Sequence, residues 1–278
     1  MVIFFAILTT ASAMAIGLLF WRWQDKRKER SAWVSLVQIA GYPQDLFDPA
    51  MIRDLPELVQ RYFLFTISPG APLPGAVEIE MTGELGLGSK DTPDYRAMRA
   101  EEILAPPHGL VWRLEAGPIN GSDGITPSTS WTRFWLFGLV PVVRVGGTSD
   151  HHRSAFARVI SEGAFWVPSS LLPSRNVVWE ATDEATARAI VTYGEERQAV
   201  DISIDDDGRP TRIIVQRWSN ANPEKEFKYQ PFGGYLSKFK DFDGYQLPTR
   251  VEGGNFIGTD CYFPFFKAEV TDIRITAG

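Results

Sequence analysis

Residues 158–179 read RVISEGAFWVPSSLLPSRNVVW, and this stretch is the one long break between two blocks of strand-like sequence. Arg158, Ser161 and Glu162 fall within about one helical turn, and Gly163 follows them. An apolar run punctuated by prolines comes next. We predict a short helix that ends in an aromatic and proline-rich plug, spanning 156–175, which closes one mouth of a β-sheet.

On both sides of the plug, apolar residues recur at every second position. Residues 76–85, AVEIEMTGEL, alternate Val77, Ile79 and Met81 with polar side chains, a pattern typical of a half-buried strand. Further segments of the same kind follow, separated by turn residues. We therefore predict an α+β, mainly β protein, with a curved antiparallel sheet, or half-barrel, over 71–278 and the plug at its centre.

Dipeptides with turn preferences divide the predicted sheet into strands. Glycine accepts the positive φ of tight hairpins, and proline interrupts a strand. The turns predicted from these pairs are Pro106-Pro107, Asp123-Gly124, Asp207-Gly208 and Asp243-Gly244.

The N-terminal segment has a different character. Residues 1–21 carry no charged side chain, and Trp21 and Trp23 follow where an interfacial aromatic belt would lie. Ala11-Ser12-Ala13 resembles a signal-peptidase site, but no basic residue precedes the apolar run, which continues past the site. We predict an uncleaved, single-pass transmembrane helix over 1–22.

The distribution of charge predicts the location. Residues 21–30 carry a net charge of +3, which leaves −9 for the remainder of a chain of net charge −6. By the positive-inside rule this flank predicts a bacterial inner (cytoplasmic) membrane protein whose body faces the cytoplasm, with an extracytoplasmic body as the alternative. The acidic body argues against a nucleic-acid partner.

Residues 23–70 are predicted to form a juxtamembrane helical region. A helix ends at Gly41, and a second begins near Asp54 as its N-cap and places Leu58, Tyr62 and Phe65 on one face. The sole cysteine, Cys261, lies in TDCYFPFF and is predicted to pack within a strand.

A hydrolase is the alternative function that would involve catalysis. Ser161 and Glu162, with His151 or His152, are its candidate residues, but no nucleophile elbow surrounds Ser161. Arg158 and Glu162 have the spacing of a helical ion pair, which favours a structural role. No catalytic residue is therefore assigned.

No metal site or cofactor is predicted either. The three histidines are not at ligand spacing, and 205–208, DDDG, suits a turn better than a calcium loop. No glycine motif for phosphates opens a predicted helix.

Aromatic residues recur through the predicted sheet. Most of these residues would fill the core of the sheet. A more specific hypothesis is that some of them line an apolar cavity under a curved sheet, closed by residues 165–173. The candidate ligand-binding residues are Trp112, Trp131, Trp135, Arg158, Glu162, Trp166, Leu172, Trp179, Trp218 and Tyr235.

Two resemblances accompany these patterns. The segments LPELVQRYF, ARVISEGAFWVPSSLLP, VVWEA and FDGYQLPTRVE are similar to those of the bacterial DUF6544/DUF6920-type family, over most of 55–270. That family implies no established activity. Residues 234–248, GYLSKFKDFDGYQLP, more loosely resemble the closing hairpins of LolA/LolB-like lipoprotein carriers. That resemblance implies a curved sheet half-enclosing a helical plug, with an apolar cavity for acyl chains.

The sequence thus predicts a membrane-anchored binding protein for an apolar small molecule or lipid. Membrane lipid is the predicted partner. The alternative is a protein-interaction or scaffold module at the membrane, which would bind through the edge strands of the sheet.

Overall fold

The computed structural model describes residues 2–41 and 45–276. Its first element is one continuous helix, α1 (Val2–Ala40), where the sequence predicted a membrane anchor followed by a separate helix. Gly41 ends α1 with a φ of +64°, as predicted. Across the described residues, no helix combines the length and the hydropathy of a membrane span. The structure therefore gives the predicted transmembrane anchor no support.

Two further α-helices lie among the described residues, α2 (Glu57–Thr66) and α3 (Ser149–Trp166). Short 3-10 helices span Pro49–Ile52 and Pro168–Leu171. The prediction that Asp54 caps α2 is wrong, because Pro56 holds the N-cap position and no side chain caps the helix.

The rest of the described chain is mainly β-structure. The strands are β1 (Val77–Gly86), β2 (Tyr95–Ala105), β3 (Gly109–Ala116), β4 (Ile119–Thr126), β5 (Thr129–Leu136), β6 (Val140–Gly146), β7 (Val177–Ala181), β8 (Thr186–Tyr193), β9 (Glu196–Ile204), β10 (Pro210–Ser219), β11 (Lys228–Phe242), β12 (Tyr245–Asn255) and β13 (Phe263–Ile275).

These strands form one antiparallel sheet built from two meanders. β1–β6 and β7–β13 each pair in chain order, and β1 pairs with β13 to join them, Val77 opposite Ile275. β6 and β7 are therefore the two edges, and α3 is part of the connection between them. The predicted antiparallel sheet is confirmed.

The sheet curves around α3. This helix contacts β2–β6 in one meander and β9, β10 and β12 in the other, which a flat sheet of this width could not allow. Register shifts in β1 and β12, at Glu80/Met81 and Gly253/Asn255, increase the local twist. The predicted open, curved sheet with a central helix is the fold that the structure has.

The two faces of the sheet carry separate cores. On the concave face, α2, α3 and the sheet enclose the larger core, which includes Val77, Ile79 and Met81 as the alternation predicted. On the convex face, Leu36 of α1 packs with Ile103, Val111 and other residues of β2, β3 and β5 in a second core. The C-terminal half of α1 is therefore part of the folded body.

Three local predictions were wrong. Asp123-Gly124 is not a turn, because it lies within β4 and pairs with β5. α3 begins at Ser149, earlier than predicted, because the Thr148 hydroxyl caps it by accepting from the His151 N–H. Cys261 is exposed in the turn that precedes β13.

Candidate ligand-binding site

Helix α3 passes through the middle of the molecule. Its N-terminal turn carries Asp150, whose carboxylate accepts a hydrogen bond from Trp218 Nε1 at 2.7 Å. Most residues from Ala155 to Trp166 are buried on every side, so polar groups there must find partners within the protein. The polar residues Arg158, Ser161 and Glu162 lie in this buried half.

Arg158 binds three carboxylates at once. Its Nε lies 2.6 Å from Glu162, its Nη1 lies 3.0 Å from Asp123, and its Nη2 lies 3.5 Å from Glu102. Its guanidinium also lies 5.0 Å from the ring centre of Trp112. Burial lowers the pKa of Arg158, but its acidic neighbours, Glu162 first, raise it by more, so the guanidinium is charged at every accessible pH.

Glu102 has no solvent exposure, and its carboxyl is the most unusual group of this cluster. Burial first, and then the charge of Glu162, raise the pKa of Glu102 well above its usual range. Glu102 Oε1 and Glu162 Oε2 find no donor among the described residues, but the two side chains are within hydrogen-bond reach of each other. A proton on Glu102, donated to Glu162, satisfies both oxygens. The raised pKa therefore favours the protonated form of Glu102.

The cluster extends to the first turn of α3 through two hydroxyls. Thr132 donates to Asp123 Oδ1 at 2.7 Å, so its oxygen accepts from His151 Nε2 at 3.1 Å. This arrangement leaves Nδ1 of His151 to accept from Ser130 at 2.8 Å. Burial lowers the pKa of His151, which agrees with a neutral imidazole in this role.

A small apolar cavity lies beside the cluster, between α3 and β10–β13. Its volume is about 40 Å³, room for about three water-sized groups. Glu162 and Phe165 line it from α3, and Leu236, Val251 and Phe266 line it from the sheet. Phe232 also lines it, and the guanidinium of Arg217 lies 4.6 Å from the centre of this ring.

Glycines form the floor of this cavity. Gly233 pairs with Gly254, and Gly234 pairs with Gly253, across β11 and β12. A Cβ at Gly233 would lie 1.9 Å from the Ile213 carbonyl oxygen, so backbone approach requires glycine there. A Cβ at Gly253 would meet no atom closer than 3.5 Å. The empty space above Gly253 is therefore a feature of this sequence that the fold does not require.

Of the ten predicted ligand-binding residues, Glu162 lines this cavity. Arg158 and Trp112 lie one contact away, since Trp112 packs on Phe266 with ring centres 6.0 Å apart. Trp131 and Trp135 lie on the convex face against α1, where Trp135 contacts Trp21.

The other five predicted residues are dispersed. Trp166 and Trp179 are buried and donate to backbone carbonyls, those of Pro248 and Leu171. Leu172 packs at the margin of the same core, Trp218 lies at the start of α3, and Tyr235 is exposed beside Tyr262. The space beside Trp166 has a volume of only about 10 Å³, so the plug packs on the sheet with room for about one water.

The residues of the hydrolase alternative are not brought together. Ser161 donates to the backbone carbonyl of Arg158 at 2.9 Å, while His151 bonds Ser130 and Thr132, and His152 bonds Glu196. Nine or ten residues of helix separate these histidines from Ser161, which is about 14 Å. Within residues 2–41 and 45–276, no group of three His, Cys, Asp or Glu side chains is placed to hold a metal ion.

The sequence-based prediction missed Glu102, Asp123 and the glycine floor. A signal for Glu102 exists, because the alternation of β2 places it on the same face as Met98, Ala100 and Leu104. A charged residue at an inward position of a strand needs a buried partner.

Comparisons with known proteins bear mainly on the family. A crystal structure of a LolA superfamily protein from Nitrosomonas europaea is similar over 79% of this chain and 92% of its own, with 10% identity and a TM-score of 0.42. A domain assigned to outer membrane lipoprotein sorting, from Vibrio parahaemolyticus, covers 73% of this chain and 86% of its own, with 14% identity and a TM-score of 0.38. A search among curated proteins returns no match. A model of DUF6544, described as a family of unknown function, matches residues 45–268, most of the chain. The chain therefore belongs to the DUF6544 family.

Proposed function

We propose that this protein binds an apolar molecule or lipid chain in the cavity between α3 and the glycine floor. The observation that carries the proposal is the empty apolar space above Gly253, in a core that is otherwise closely packed. The polar side chains of its lining are Ser161, which donates to the Arg158 carbonyl, and Glu162, whose Oε1 pairs with Arg158. The ligand is therefore recognised through apolar contact.

The cavity accepts the end of a chain. Its volume of about 40 Å³ is well below the roughly 300 Å³ at which small-molecule sites begin. A longer alkyl chain enters when Phe232 and Phe266 move aside, and both of these rings are only partly buried. Phe232 lines the cavity and is partly buried, and in this proposal it forms the mouth.

The binding of a series of 1-alkanols, from butanol to dodecanol, to the full-length protein tests this proposal by calorimetry. Affinity should rise by roughly fourfold per methylene, until the accessible space is filled. Gly253→Leu places a side chain in the cavity and should abolish this binding. Ser237→Leu, which adds the same side chain at an exposed position of β11, is the control. Equal binding by the two variants would show that alkanols bind elsewhere, for example on α1.

In the proposed function the N-terminal part of α1 attaches the protein to the bacterial inner membrane, where apolar ligands are abundant. Support comes from the exposed apolar side chains of Phe4, Phe5, Ile16 and Leu19, in a segment without charge. The basic residues at 22–30 favour a body in the cytoplasm.

Cys261 provides a direct test of this location, since it is exposed and is the only cysteine of the chain. A membrane-impermeant maleimide should label it after lysis and leave it unlabelled in intact spheroplasts. Labelling of intact spheroplasts would place the body outside the cytoplasm, and recovery of the protein in the supernatant after lysis would contradict attachment.

A scaffold role is the second candidate, and the edge strand β6 favours it. Val140, Val142, Val143 and Val145 are exposed on this strand, which has a neighbour on one side only. Such an edge can accept a strand from another chain. If β6 pairs with β6 of a second copy, Val142→Lys with Val145→Lys should convert a dimer to a monomer in analytical ultracentrifugation. A wild-type protein that is monomeric at all concentrations would exclude this pairing.

A further inference from the structure

A polar cleft separates α1 from the convex face of the sheet. It has a volume of about 340 Å³, within the range of small-molecule sites. One face of α1 forms its first wall, through Arg22, Asp25, Lys26 and Glu29. Strands β2–β5 form the other wall. This cleft lies on the opposite face of the sheet from the apolar cavity and shares no lining residue with it.

The carboxylates of the cleft are largely neutralised by their neighbours. Asp25 is nearly buried and lies 2.5 Å from Arg144, which is outside the cleft lining. Arg113 lies 2.7 Å from Glu29 and 3.6 Å from Glu101. Glu115, the cross-strand neighbour of Arg99, is the one acidic side chain of the lining that forms no ion pair within the described part of the chain. The lining therefore holds five basic side chains against four acidic ones, and Arg144 adds a further cation.

Three cations of the lining have acidic neighbours but no direct ion pair. In the described part of the chain, Arg22, Lys26 and Arg99 form no ion pair, and Arg22 donates only to the amide oxygen of Asn120. Burial lowers the pKa of Arg22 and of Arg133, because both guanidinium groups are partly desolvated. A bound anion would offset that desolvation.

The position of the cleft is next to the apolar segment of α1. Arg22 is the first charged residue after residues 1–21, and Glu29 lies about 10 Å further along the helix. The β5–β6 turn approaches the same place, since a Cβ on Gly138 would lie 3.4 Å from Arg22 Nε. The neighbouring Phe137 is 78% exposed. The cleft thus opens where an apolar surface meets a cluster of cations.

We infer that this cleft binds a phosphate-bearing anion, with Arg22, Lys26 and Arg99 as its ligands. Phosphate suits the cleft because guanidinium and ammonium groups both pair with it, and Arg22 and Arg99 approach from opposite walls. The phosphate can come from a lipid headgroup, which the adjacent apolar surfaces would position, or from a free phosphate compound.

The test uses the full-length protein in neutral detergent micelles. Phosphatidylglycerol is titrated by native mass spectrometry, and inorganic phosphate is then added as a competitor. Lys26→Gln with Arg99→Gln removes two cations from the cleft. Lys28→Gln with Arg96→Gln removes the same charge from the same two elements at exposed positions outside the cleft, and is the matched control.

Binding of phosphatidylglycerol should weaken about tenfold in the cleft variant and change less than twofold in the control. Competition by inorganic phosphate with the same dependence on the variants would identify phosphate itself as the ligand. Binding that depends on the cleft but resists inorganic phosphate would identify the lipid as its source. If the two double variants bind both compounds equally, the inference is overturned.

Discussion

Arg158 Nε lies 2.6 Å from Glu162 Oε1, one turn apart on α3, and joins the central helix to the sheet through Asp123 and Glu102. The four-residue spacing predicts the pair within the helix. The two partners on β4 and β2 turn it into a cluster that fixes α3 against the concave face.

Stability should depend on the protonation of Glu102. The pKa of Glu102 is raised in the folded state, so the folded protein holds a proton that the unfolded chain loses above its ordinary pKa. The stabilising contribution is therefore complete below that ordinary pKa and is lost as pH rises through the folded pKa. In this pH window, the free energy of unfolding falls by at most about 1.4 kcal/mol per pH unit for a single group.

Glu102→Gln should remove this dependence, because an amide N–H can donate to Glu162 at every pH. The free energy of unfolding, measured with urea between pH 5 and pH 9, should fall less steeply with pH in the variant. Glu101→Gln is the control, since Glu101 is exposed on the other face of β2. Parallel pH profiles for the wild type and Glu102→Gln would show that Glu102 is ionised in the folded protein.

Arg158→Met should be strongly destabilising. The substitution keeps most of the side-chain volume but removes the cation that bridges the buried carboxyl groups, which costs about 3–5 kcal/mol. Arg188→Met breaks a more exposed pair with Asp201 and should cost less than about 1 kcal/mol. Addition of Glu162→Gln to Arg158→Met should recover part of the loss. Similar unfolding midpoints for the two arginine variants would contradict a central role for the cluster.

The C-terminal half of α1 should contribute to the stability of the β domain. Leu36 has no exposed surface and packs in the convex core, so Leu36→Ala should cost about 2–5 kcal/mol. Val34→Ala, at a largely exposed position, should change stability by less than about 0.5 kcal/mol. Hydrogen exchange should show faster exchange in β3 for Leu36→Ala. Unchanged exchange there would mean that α1 is only loosely attached.

Local patterns predicted much of the fold. The alternation at Val77, Ile79 and Met81 gave both the strand and its inward face, and the glycines at 208 and 244 adopt the positive φ that their hairpins require. The pairing of β1 with β13 could not be predicted in this way, because nothing in either strand specifies a partner nearly 200 residues away.

The candidate site was less accessible from the sequence. Arg158 and Glu162 are close in sequence, whereas Glu102 and Asp123 reach them only because β2 and β4 pair on either side of β3 and the sheet then curves around α3. Tryptophans predicted to share one cavity lie on both faces of the sheet. Successive side chains of a strand alternate between the two faces, so the sequence assigns a face to a residue only when the strand boundaries and register are known. The cavity itself depends on a missing side chain at Gly253, which no apolar pattern reveals.

Native mass spectrometry of the full-length protein, purified from a bacterial host and compared with Gly253→Leu and Ser237→Leu, tests the central claim most directly. The proposal predicts that the wild type and Ser237→Leu retain an extractable apolar molecule in a one-to-one ratio. Gly253→Leu should lose it while remaining folded, with an unfolding free energy at least equal to that of the wild type. Equal retention by all three proteins, or an empty wild type that also fails to bind 1-octanol, would contradict a ligand site above Gly253.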